Sequence, residues 1–364
     1  MPTKQALSRG GDAVQTSFAA GFPMRALPTL LLLATAAAFA GPAAADPAPA
    51  NFRVLARLPL GGAGGWDYLS FDAQRRHLFV TRGDHIDVLD VDQRKRIGAI
   101  PGTKGVHGVA LDQSAHRGYA SNGQAASVTV FDLDTLHVVA TIGGTGEKPD
   151  AIVYDGASKH VFTFNGKGHS FSVMDPSTNT VTSTVPLPGK PEFAVSDEAG
   201  SIYVNIEDTA QLVKVDTASN TVAATWSLGN CEAPTGLAID RKRHRLFSVC
   251  DNKQMAVTNA ENGQVVARVP IGEGPDAVVF DEATSMVYSS NGESGDITAV
   301  RQKDADHYSV VAAIPTQPSA RTLALDPKLH RLYLSAAKWA SAPKEGARPD
   351  IVPDSFTVLT VGTP

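Results

Sequence analysis

Residues 276–314 hold four apolar runs in close succession: Asp276-Ala277-Val278-Val279-Phe280, Met286-Val287-Tyr288-Ser289-Ser290, Asp296-Ile297-Thr298-Ala299-Val300 and Ser309-Val310-Val311-Ala312-Ala313-Ile314. Short runs of β-branched, aromatic and small residues divided by Asp, Asn, Gly and Ser read as antiparallel strands joined by turns. The first run closes on Asp281, and the same phrase recurs in both directions along the chain. Its aligned aspartates are Asp72, Asp112, Asp155, Asp197, Asp240, Asp281 and Asp326, spaced 40 to 45 residues apart. Four strands at that period are the signature of a propeller blade. The expectation is an all-β, seven-bladed β-propeller of four-stranded blades. Apolar residues fill both parities of the inner strands, as they must where sheets pack face to face.

The seventh repeat offers only three runs, Thr322–Leu325, Arg331–Ser335 and Phe356–Val361. A fourth run of the right character stands at the opposite end of the chain, in residues 52–60. It is expected to complete the seventh blade and close the ring, leaving no open sheet edge. Residues 46–364 are then one domain. Residues 1–45 stand outside the repeat: Met24-Arg25 precedes a Leu/Ala-rich run to Ala40 and the small residues Ala43-Ala44-Ala45. That order reads as a cleaved signal peptide, with Met24 a candidate start and the periplasm the expected location. The run breaks at Gly41-Pro42 and is shorter than the roughly 20 residues of a membrane span, so no membrane span is expected.

Arg331-Leu332-Tyr333-Leu334, Ser201-Ile202-Tyr203-Val204-Asn205 and Met286-Val287-Tyr288-Ser289-Ser290-Asn291 resemble the YVTN-type repeat of bacterial periplasmic YncE-like β-propellers. The resemblance runs from about Phe52 onward. It implies the fold and no single activity, because related propellers include lactonases, lyases, dehydrogenase subunits and binding scaffolds.

In such a ring, the loops entering the innermost strands converge on one mouth of the central channel. Five residues before the aligned aspartates stand Asp67, His107, Asp150, Glu192, Thr235, Asp276 and Arg321. Ten residues after them stand Arg82, Asn122, Asn165, Glu207, Cys250, Asn291 and Ala336, with Asn205 or Asp208 replacing Glu207 if the fourth repeat has a one-residue gap. Asp67, Asp150, Glu192 and Asp276 are candidate ligands for a divalent cation. Hard oxygens with one imidazole suit Ca²⁺, Mg²⁺ or Mn²⁺ better than Zn²⁺. His107, Asp150 and Glu192 are the candidate catalytic groups, since a metal here would polarise a carbonyl or activate water. Asp67, Arg82, Asn122, Asn165, Glu207, Asn291 and Arg321 are expected to line a pocket for a small polar ligand. The competing reading is structural: Arg321 lies between Asp276 and Asp67 and would form an ion-pair seam with them.

The function expected is therefore a periplasmic binding or scaffold protein that takes a small polar ligand or a divalent cation at the channel mouth. The alternatives are a metal-assisted hydrolase, lactonase-like, or lyase using the same funnel, and a subunit that docks another periplasmic protein. Cys231 and Cys250, both at one end of the fifth repeat, are expected to form a disulfide in an oxidising compartment. The long insertion between Ser335 and Ser355 is expected to be a flap over the funnel, with Trp339 as its apolar contact and a further ligand-binding residue.

Basic turns such as Arg75-Arg76-His77 and Arg241-Lys242-Arg243 could attract a polyanion, but Asp92, Asp134, Asp175 and Asp216 fall in neighbouring turns. Together with a net charge of −5, this argues against nucleic acid as a partner. Phosphate loops, zinc-protease helices, haem-attachment motifs and nucleophile elbows are absent from the sequence.

Overall fold

A computed structural model describes residues 51–63, 65–341 and 349–364. The expected leader and residues 342–348 of the insertion lie outside the described residues. The described chain is all-β, with no helix among its elements. Five sheets have four antiparallel strands each, and a sixth has seven.

The larger sheet spans the first two repeats, which the sequence had divided by a Gly-rich loop. Lys95–Asp112 is one 18-residue strand. Its first part pairs with Gly83–Asp90 as the outer strand of one repeat, and its end pairs with Arg117–Asn122 as the inner strand of the next. The tight turn at Arg82-Gly83 allows this, because Gly83 pairs directly with Val106 and holds the connection extended. Every later repeat forms its own sheet.

The strand Arg53–Pro59 pairs antiparallel with Thr357–Gly362, so the chain's two ends share one sheet with Thr322–Asp326 and Arg331–Ala336. Apolar clusters fill the seams between consecutive repeats. One of them joins Leu69, Leu78 and Val80 of the first repeat to Ala324, Tyr333 and Phe356 of the last.

The recurring aspartate is a turn device. Asp72 Oδ1 accepts the N–H groups of Gln74 and Arg75 at 2.9 and 3.0 Å. Asp112, Asp155, Asp240 and Asp326 likewise accept backbone N–H groups two or three residues on. Four residues after the aspartate the backbone is left-handed, at Arg76, His116, Lys159, His244, Ser285 and His330, with φ between 51° and 61°. These Asx turns explain why the residue recurs at a fixed point of each repeat.

The fourth repeat departs from the pattern. Elsewhere the aspartate pairs with the residue five positions on, as Asp155 does with His160; here Ser196 pairs with Ile202 and Asp197 N–H donates to Ser201 O. The turn is one residue shorter. Its register equivalent of Asn165 is therefore Ile206, opposite Pro191, and not Glu207, Asn205 or Asp208.

The basic turns at the far end are largely engaged. Arg75 lies 2.6 Å from Asp134, Arg76 2.6 Å from Asp326 and 3.1 Å from Asp92, and Arg245 2.8 Å from Asp306.

Candidate functional site

In the second to sixth repeats the loop that enters the innermost strand ends in a β-bulge, and the bulge carries the first-tier residue; Asp67 and Arg321 instead stand just before strands that pair without one. In the second repeat Val106 pairs with Asn122 and Val109 with Ala120, so His107 and Gly108 together face Ser121. Asp150, Glu192, Thr235 and Asp276 occupy the same irregularity in their own sheets. An extra residue bends the strand and re-aims a side chain. The approach is built for this: the residue two positions earlier is left-handed at Gly105, Lys148, Ala233, Gly274 and Ser319. Proline follows at Pro149, Pro191, Pro234 and Pro275, where a strand's first residue needs no N–H donor.

Three of these side chains meet. His107 Nδ1 lies 2.7 Å from Asp67 Oδ2 and 3.3 Å from Asp150 Oδ1. One ligand atom from each lies within 4.8 Å of the other two. Asp150 Oδ2 is 3.0 Å from Lys148 Nζ. Lys190 joins Glu192, at 3.3 Å, to Glu207. Arg321 Nε lies 2.9 Å from Asp276 Oδ2, and its Nη2 donates to the Trp66 carbonyl at 2.6 Å. The guanidinium also sits over the Trp66 ring, 5.3 Å from its centre.

The charges are strained by burial. The Asp150 side chain is 3% exposed; burial and then the charge of Asp67 raise its pKa. Burial, followed by the charge of Asp150, pushes Glu192 up to about 8 against the pull of Lys190. Burial opposes protonation of His107, but the Asp67 hydrogen bond and the Asp150 charge prevail and raise it. The imidazole has a single hydrogen at Nδ1, and the shorter contact gives it to Asp67. Asp150 Oδ1 is left a buried carboxylate oxygen with no hydrogen-bond donor.

The second tier is a different kind of structure. Asn122 Nδ2 donates to Ser127 and Thr129 hydroxyls at 3.2 and 2.8 Å, Asn165 Nδ2 to Ser170 and Ser172 at 3.1 and 3.0 Å, and Asn291 Nδ2 to Asp296 and Thr298 at 2.6 and 2.9 Å. These amides are fully buried and engaged inside their own sheets, where they brace the hairpin of the second and third strands. Cys250 holds the equivalent position opposite Pro234, and there a disulfide to Cys231 ties the loop before the first strand to the end of the second. Arg82 is buried as well. It donates to Asp87 at 3.1 Å and to the Gly61 carbonyl at 2.8 Å, and lies over the Phe356 ring, so it clamps the two ends of the chain together. Of this tier only Glu207, displaced by the short turn, reaches the mouth, through Lys190. Trp339 forms an isolated bridge with Ile351 at the base of the insertion. The adjoining cleft of about 380 Å³ is lined by Arg57, Lys338 and Phe356 among others, and by none of the first-tier residues.

Sequence reasoning missed Trp66, Tyr68, Lys148, Lys190 and Phe193. Tyr68 follows Asp67 and meets Phe193 of the fourth repeat edge to face, with ring centres 4.8 Å apart. Burial and then the charges of Glu192, Asp150, Asp67 and Asp276 hold its phenol well above the usual range, so it stays a donor in the midst of the four carboxylates. A cavity of about 50 Å³ lies beside these two rings. Lys148 and Lys190 did leave a signal, since both stand two residues before a first-tier carboxylate and just before a proline.

No protein-family model matches the chain. Its fold is shared with WD40 β-propellers: the RRP9 WD40 repeats superpose with a TM-score of 0.72 at 12% identity, over 87% of this chain and 99% of that one. A chain of Kuenenia stuttgartiensis hydrazine synthase gives 0.66 at 14% identity over 74% and 92%. The sequence is closer to YncE of Salmonella typhimurium, 26% identical over 215 residues, which is 56% of this chain and 59% of that protein. YwhL of Bacillus subtilis is 24% identical over 233 residues, 60% and 49% of the two lengths. The match thus spans between half and three fifths of these curated relatives, both named as uncharacterized proteins. The chain thus has a β-propeller fold and is similar in sequence to the YncE-like proteins of bacteria.

Proposed function

We propose that this is an exported, seven-bladed propeller that binds a divalent cation at its channel mouth through Asp67, His107 and Asp150. The observation that carries the reading is the buried Asp150 Oδ1, which lacks a donor and faces an imidazole nitrogen and a second carboxylate. Adjacent ligands on an ion at 2.1–2.3 Å stand about 3.0–3.3 Å apart in octahedral geometry, close to the present spacing. In the metal-free protein the Nδ1 hydrogen of His107 engages Asp67 alone and leaves Asp150 Oδ1 beside it without a donor. Ca²⁺, Mg²⁺ and Mn²⁺ are the ions this donor set favours. The seven-bladed reading rests on the seven repeats, and the ring on the pairing of Arg53–Pro59 with Thr357–Gly362. Export rests on the leader-like residues 1–45.

Elemental analysis and calorimetric titration with each ion test the site. Wild type is expected to bind one equivalent, and Asp150→Asn, which keeps the shape and removes the charge, to bind at least about tenfold more weakly. A wild-type protein that takes up none of the three ions overturns the reading.

One observation favours a second, catalytic reading. Glu192, pushed up to about 8, stands in the same mouth and can both give and accept a proton near neutral pH. Ester and lactone hydrolysis that depends on added metal and is lost in Glu192→Gln would establish it.

A further inference from the structure

We infer that the loaded mouth takes a second ligand, a small 2-hydroxycarboxylate, held between the cation and the ammonium groups of Lys148 and Lys190. This deepens the cation-site reading and rests on it. Asp67, His107 and Asp150 supply three protein ligands, whereas the hard cations that suit them take six or more. Asp67 and His107 are about one-fifth exposed, so the open positions of an ion held there would be within reach of solvent. A carboxylate with a neighbouring hydroxyl fills two of them as a chelate, through the oxygen donors such ions prefer.

The lysines supply the opposite charge at the right place. Lys148 Nζ is 3.0 Å from Asp150 Oδ2, the oxygen not turned toward His107. A cation on Oδ1 would draw on that carboxylate's charge and leave the Lys148 ammonium, 41% exposed, seeking a further anion. Lys190, on the next repeat and at the same point of its loop, is 34% exposed and contacts Glu192 and Glu207. Lys148, Lys190 and Arg321 stand among the carboxylates Asp150, Glu192, Glu207 and Asp276. A divalent ion adds two positive charges to that set and so favours an incoming anion.

Cation and anion must therefore bind with positive, reciprocal coupling. The test is calorimetric titration of the full-length mature protein with L-lactate, propionate and propane-1,2-diol, each with and without saturating Ca²⁺ or Mn²⁺. Lactate is expected to bind at least about tenfold more tightly when the ion is present, which is about 1.4 kcal/mol of coupling. Propionate, which lacks the hydroxyl, and the diol, which lacks the charge, should show less than a third of that gain. Lys190→Met should still take up one equivalent of ion and lose most of the lactate coupling. Equal lactate affinity with and without a bound ion, or unchanged coupling in Lys190→Met, overturns this inference and leaves the cation site standing. Failure of the protein to bind any ion removes both.

Discussion

At the scale of single residues, the mouth is a set of carboxylates whose protons are set by their neighbours. Glu192 has a folded-state pKa of about 8, against about 4.3 for the same group in an unfolded chain. Between those values the folded protein holds a proton that the unfolded chain has released. The stability linked to that proton is complete below the unfolded pKa and is lost as pH rises through the folded one. Glu192→Gln removes the titration and keeps the neutral shape. The metal-free variant should therefore gain steadily in melting temperature relative to wild type as pH rises from about 5 toward about 8, and the gain should level off above the folded pKa. A difference that stays constant across that range would show that Glu192 titrates as an ordinary surface carboxylate. Asp67, His107, Asp150, Glu192 and Asp276 were all legible in the sequence, because a fixed offset from a repeated aspartate marks a fixed place in the repeat. Tyr68 and Phe193 were not, since their contact joins the first repeat to the fourth and no local spacing records it.

At the scale of the hairpin, one position of the repeat must be braced from inside the sheet. Asn122, Asn165 and Asn291 do this with amide hydrogen bonds, whereas Cys250 at the same position is bonded to Cys231 of the loop that enters the repeat. Asn165→Ala leaves the Ser170 and Ser172 hydroxyls short of a buried partner and should cost about 1–3 kcal/mol. Urea denaturation would measure the loss, while cation binding stays intact if the amide serves only the hairpin. Reducing the disulfide, whose cysteines are 19 residues apart, should cost about 3 kcal/mol. Sequence spacing had put these asparagines among ligand-binding groups. It counts residues along the chain correctly, but it does not record the bulge in the facing strand, which sets the residue lying opposite each asparagine. The short turn of the fourth repeat adds a second displacement, one that moves Glu207 up to Lys190 and puts Ile206 in the braced position.

At the scale of the whole molecule, the first strand and the last belong to one sheet. Removing residues 51–60 would strip the partner from Thr357–Gly362 and break the stacking of Phe52 on Tyr288, whose ring centres are 5.4 Å apart. The truncated protein should lose cooperative thermal unfolding; a melting temperature equal to that of the intact chain would contradict the role given to this strand. The sequence by itself determined the number of repeats, the strands within them, the turn aspartates and the disulfide, because each is set by residues within about 40 positions of one another, where periodicity and turn chemistry are written locally. Only the tertiary structure decided that Asp67, His107 and Asp150 touch, that Asp150 keeps an oxygen without a donor, and that Lys148 and Lys190 flank them. Those relations join side chains of successive repeats, and their direction is fixed by packing between sheets.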